Sequence, residues 1–85
     1  MWIRTKDRFS LVNINEYNKI LLESMLMIDK NNYVIITYKD KEGIILGAYS
    51  SKDNAIDALA YIQECIYLGK AEMNMPLEKD GELLK

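Results

Sequence analysis

The sequence predicts a small α+β domain, an antiparallel sheet of about four or five strands with one C-terminal helix packed across one face. Three observations carry this. The stretch "NYVIITYKDKEGIILGAY" alternates apolar side chains around a polar turn, "SSKDNAIDALAYIQECIYLG" changes to a helical period with one apolar side, and "WIRTKDRFSLVNI" places two short extended runs around a polar centre.

Taken in order, Trp2 to Ile14 reads as a hairpin turning at Lys6, Asp7 and Arg8. The segment Glu16 to Ile28 is open between two readings. As a helix it would align Tyr17, Ile20, Leu21, Met25 and Ile28 behind an N-cap at Asn15; as a strand it would give the sheet a middle member beside Val34–Tyr38, and the strand is preferred. In the next hairpin "DKEG" is the turn, with Gly43 expected at positive φ.

Ser50 and Asp53 have capping-box spacing, and Gly69 stands where a left-handed residue would stop a helix running from about Ser51 to Leu68. Ala55, Ala58, Leu59, Ile62, Cys65 and Ile66 share the arc that should face the sheet. The domain is therefore expected over residues 1–69, with residues 70–85, "KAEMNMPLEKDGELLK", as an extended C-terminal arm.

Composition narrows the chemistry. The 85 residues include one cysteine and no histidine, so an intramolecular disulfide is excluded and the commonest general base and transition-metal ligand are missing. Catalytic, cofactor and metal residues are all predicted to be none. Cys65 reads as a buried structural thiol, and Asp53, Asp57 and Glu64 as a solvated helix side rather than a cation site.

A net charge of -2 gives no overall field for nucleic acid. No apolar run is long enough to span a membrane, and "MWIRTKDRFS" lacks the apolar core of a signal peptide, so no membrane association and a cytoplasmic location are expected. A core this small supplies only about 3–5 kcal/mol, and with neither disulfide nor metal to reinforce it a homodimer is expected.

Six tyrosines and five methionines are more large amphipathic side chains than a one-helix domain readily hides. Trp2, Tyr49, Tyr61, Tyr67, Met73 and Met75 are the candidate interface residues, which makes a non-enzymatic protein-binding module the leading reading. The alternative is a nucleic-acid-binding accessory protein: Arg4, Lys6 and Arg8 alternate, so in an extended strand they would form a basic ridge near Trp2.

The stretches "MWIRTKDRFSLVNIN", "ILGAYSSKDNAIDALAYIQECI" and "MNMP" resemble short proteins of Gram-positive bacteria and their prophages, a group with no known activity. The likeness spans most of the chain and is weakest over Glu16 to Asn32. The resemblance transfers no activity and no catalytic residue; the protein-binding reading, resting on the side chains above, is of an accessory module of the kind that phages and mobile elements carry, an inhibitor of a host or defence protein being one form of it.

Overall fold

A computed structural model describes residues 1–17, 19–27 and 30–78. The chain is α+β. Its elements are β1 (Trp2–Arg4), β2 (Leu11–Asn13), a 3₁₀ turn (Ile14–Glu16), β3 (Lys19–Met27), β4 (Lys30–Lys39), β5 (Glu42–Tyr49), α1 (Lys52–Tyr67) and β6 (Glu72–Asn74).

The strands form two sheets of three, ordered β2-β1-β6 and β3-β4-β5, where the sequence predicts one sheet of about four or five. The break falls at the 3₁₀ turn. Asn13 accepts from the Asn15 N–H at 3.2 Å, and the Tyr17 N–H donates to the Ile14 carbonyl at 3.0 Å, which redirects the chain between β2 and β3. The Lys6 N–H then donates to the Leu46 carbonyl at 2.8 Å, joining the small sheet to the edge of the large one.

β3 is a strand, although Leu and Met favour helix, because pairing decides. Its antiparallel register with β4 sets Ile20 opposite Thr37 and Leu22 opposite Ile35, toward the helix. Leu21 and Glu23 fall on the other face, opposite Ile36 and Val34. Ile28, the far end of the ambiguous segment, lies outside the described residues. Asn15 caps no helix; Asn13 caps the 3₁₀ turn instead.

The β4–β5 hairpin closes with Lys39 opposite Glu42, and Asp40, not Gly43, takes the positive φ, at 57°. Aspartate tolerates that region better than most side chains. At Gly43 a Cβ would stand 2.9 Å from Ile36 Cδ1 and from Tyr38 Cε1, so a larger residue would have to displace those two side-chain ends. Farther along, Ile35 pairs with Gly47 and Ile36 with Ile45, so Leu46 is the extra residue of a bulge. The bulge buries its side chain while its carbonyl receives the Lys6 N–H.

The helix matches its predicted span. Its N-cap is Ser51, whose Oγ accepts from the Asn54 N–H at 3.1 Å, one residue later than the Ser50–Asp53 spacing suggests. Ser50 is held elsewhere, donating its N–H and hydroxyl to the two Glu78 carboxylate oxygens at 2.6 and 2.7 Å. At the other end the Gly69 N–H reaches the Ile66 carbonyl and the Lys70 N–H the Cys65 carbonyl, both at 3.0 Å, with Gly69 at φ 69°. This is the Schellman arrangement.

Ala55, Ala58, Ile62 and Cys65 are buried, Leu59 is half-buried, and Ile66, predicted to face inward, is 53% exposed. The helix touches β4 most, and β3 and β5 equally, so it lies centred over the large sheet. Ile3, Val12 and Met73 from the small sheet complete the core with Ile35, Leu46, Tyr49 and Met75.

The segment after Gly69 returns to the small sheet. β6 pairs parallel with β1, setting Met73 beside Ile3, and the Met75 N–H donates to the Arg4 carbonyl at 2.9 Å. Residues 79–85 of the predicted arm lie outside the described residues.

Candidate interaction surface

Alternation along β1 and β2 sorts the small sheet into two faces. Ile3 and Val12 pair and are buried; Trp2, Arg4, Leu11 and Asn13 point the other way, with Trp2 opposite Asn13 and Arg4 opposite Leu11. Trp2 is 48% and Leu11 57% exposed, and as diagonal neighbours in the ladder they lie within about 7–8 Å.

The loop between the two strands lifts Phe9 to 89% exposure. That loop is tied down. The Thr5 N–H donates to the Ser10 carbonyl and the Arg8 N–H to the Thr5 carbonyl, both at 2.9 Å, while the Ser10 N–H reaches Thr5 Oγ1 at 3.2 Å. Asp7 Oδ1 accepts from the Thr5 hydroxyl at 2.7 Å and from the Phe9 N–H at 2.9 Å. These two bonds, the hydroxyl's first, hold the Asp7 carboxyl below its ordinary range. Arg8 takes φ 72°, and its carbonyl accepts from Arg4 Nη1 at 3.3 Å. An exposed aromatic ring thus stands on a backbone whose conformation is already fixed.

The predicted interface set divides. Trp2 lies on this face, and Tyr61 and Tyr67, at 40% and 87% exposed, lie on the helix, about 120° apart around its axis. The structure therefore does not gather them into one patch. Tyr49, Met73 and Met75 are corrections, being 1%, 6% and 0% exposed. The Tyr49 hydroxyl donates to the Pro76 carbonyl at 2.6 Å, and the two methionines alternate with Asn74 so that both reach the core. Phe9 and Leu11 are the members the sequence reading missed. Leu11 could have been found by placing it on Trp2's side of the hairpin, and Phe9 by asking why a turn of charged residues holds a ring.

The basic ridge does not form. β1 ends at Arg4, so alternation stops there, and Lys6 turns back over the fold, 3.8 Å from the Glu78 carboxylate and 5.0 Å from the centroid of the Tyr49 ring. Arg4 is exposed and Arg8 half-buried, and the loop conformation separates them from Lys6.

Cys65 is free and buried against the sheet. The neighbouring Cys65 thiol raises the Tyr61 hydroxyl above its usual range. Among the described residues no three His, Cys, Asp or Glu side chains gather as a metal site, and no helix is long and apolar enough to cross a membrane. An open groove of about 630 Å³ runs between the end of the helix and the start of β3, lined by Ile14, Tyr17, Lys19, Ile20, Ile66 and Lys70 among others. In comparisons with known proteins the chain matches no family model, no curated protein and no solved structure.

Proposed function

We propose that the protein is a non-enzymatic protein-binding module of the accessory kind carried by phages and mobile elements, working in the cytoplasm. Its contact face is the outer side of the small sheet. The observation that carries this reading is Phe9, 89% exposed on a loop fixed by its own hydrogen bonds. Trp2, Leu11 and Arg4 accompany it on the adjoining strands. Aromatic and arginine side chains supply most of the free energy at protein interfaces, and a contact loop ordered before binding loses less entropy on association. Inhibition of a host or defence protein is the outcome such binding would have when the covered surface is the partner's working site. Nucleic-acid binding has less support, because Lys6 is drawn away from Arg4 toward Glu78.

The test compares immobilised wild-type protein with Trp2→Ala, Phe9→Ala and Tyr67→Ala in a lysate of a Gram-positive host. A partner of this face is retained by wild type and by Tyr67→Ala, and is lost from Trp2→Ala and Phe9→Ala by roughly tenfold or more in affinity. Retention that ignores Trp2 and Phe9, or no retention at all, would reject the reading.

A further inference from the structure

We infer that a second copy of this chain is one of the proteins bound, and that it docks along the free edge of β3, the two edges pairing antiparallel about a two-fold axis at Leu21. The inference extends the protein-binding reading without using the Trp2 face. Among the described residues β3 pairs with β4 alone, so one side of a nine-residue strand has no neighbour. Such an edge offers a row of backbone donors and acceptors to another strand unless something blocks it. β3 holds neither proline nor a bulge against β4. Its charges are Lys19 and Glu23, four residues apart and on the same face, with Leu21 between them.

The spacing selects one register. With Leu21 opposite its symmetry mate, Lys19 of each copy meets Glu23 of the other, twice over. On the helix side Ile20 then meets Leu22, also twice. Moving the axis to Leu22 sets Leu21 against Glu23, and moving it to Glu23 sets like charges face to face, which is destabilising. Charges of a single sign would have sealed this edge; a lysine and a glutamate in this order fit a copy of themselves.

Both side chains are already oriented by Tyr38 on the neighbouring strand. Its hydroxyl lies 3.2 Å from each Glu23 carboxylate oxygen, and Lys19 Nζ stands 5.7 Å from its ring centroid. Among the described residues neither Lys19 nor Glu23 makes an ion pair within its own chain.

The helix side agrees. Helices centred over the two β4 strands would lie three strand spacings apart, about 14 Å, wider than the 8–10 Å of helices in direct contact. The groove beside Ile20 and Ile66 opens at this place, and Ile66, 53% exposed, stands on its wall as an apolar side chain that a second copy would cover.

Sedimentation equilibrium between about 1 and 100 µM, with hydrogen exchange of the β3 amides, tests the inference. Wild type should dimerise, and β3 amides should gain protection as concentration rises. Lys19→Glu and Glu23→Lys should each raise the dimer dissociation constant on the order of thirty-fold, since two pairs pass from attraction to repulsion. The double variant, with both charges exchanged, should recover most of the loss. A dimer indifferent to either single change, without concentration-dependent protection of β3, overturns the edge pairing and leaves self-association through another surface. A monomer throughout overturns dimerisation and leaves the Trp2 face to the lysate experiment. Should a variant fail to fold, the exchange measurement on wild type still decides.

Discussion

Tyr49→Phe removes one oxygen from a side chain that is 1% exposed, and leaves the ring, with its packing, in place. What disappears is the hydroxyl's 2.6 Å bond to the Pro76 carbonyl. A hydrogen bond of this kind contributes about 0.5–1.5 kcal/mol net, and an abandoned carbonyl adds about 1–3 kcal/mol if it stays dry. Pro76 is half-buried, and the second cost falls away to the extent that water replaces the hydroxyl at its oxygen. The change should therefore destabilise the fold by about 1.5 kcal/mol. For a domain of this size that lowers Tm by about 6–12 °C. Thermal and urea unfolding followed by far-UV circular dichroism would measure it, with an unchanged urea slope showing that the unfolded state is the same. The Met75 amide, bonded to the Arg4 carbonyl, should exchange faster in the variant. A Tm within about 2 °C of wild type, with Met75 exchange unaltered, would show that this bond does not fasten the final segment.

Gly69→Ala tests the helix stop: no atom lies within 4 Å of the new Cβ, so the left-handed φ of 69° is the sole cost, about 1 kcal/mol. Loss of several degrees in Tm is expected, and none would mean that the Schellman turn relaxes freely. Asp7 tests the loop by pH. Its folded-state pKa is depressed below 3.8, so its contribution is complete above the unfolded value and is lost as pH falls through the folded one. Urea midpoints of wild type and Asp7→Asn should therefore differ by a constant amount from about pH 8 to pH 5 and converge below about pH 4. A gap that persists in acid would assign the loop's order to other groups.

Much of the fold was legible because its signals are local. Alternation in Val34–Tyr38, the glycine after Leu68 and the small residues Ala55 and Ala58 each act within a few positions of themselves. The division into two sheets was not legible. It depends on a polar side chain, Asn13, turning the chain through a single 3₁₀ turn, and on the bulge at Leu46 freeing a carbonyl for Lys6. The surface was half legible for the same reason. Trp2 and Tyr67 point outward as local pattern suggests, whereas Tyr49, Met73 and Met75 are drawn inward by β1 and Pro76, partners far away in sequence. Lys6 left its expected ridge because Glu78, distant in sequence, attracts it.

The parallel seam between β1 and β6 bears on how the chain assembles during synthesis. Ile3 waits for Met73, its neighbour across that seam, so β1 receives its flank only after the residues of β3, β4, β5 and the helix have been made. β3, β4, β5 and the helix can collapse together earlier, since their mutual contacts need no residue beyond Tyr67. The Phe9 loop, bonded within Thr5–Ser10, needs none of this, but a nascent chain still short of residue 72 leaves the β1 edge that β6 later covers open to chaperones.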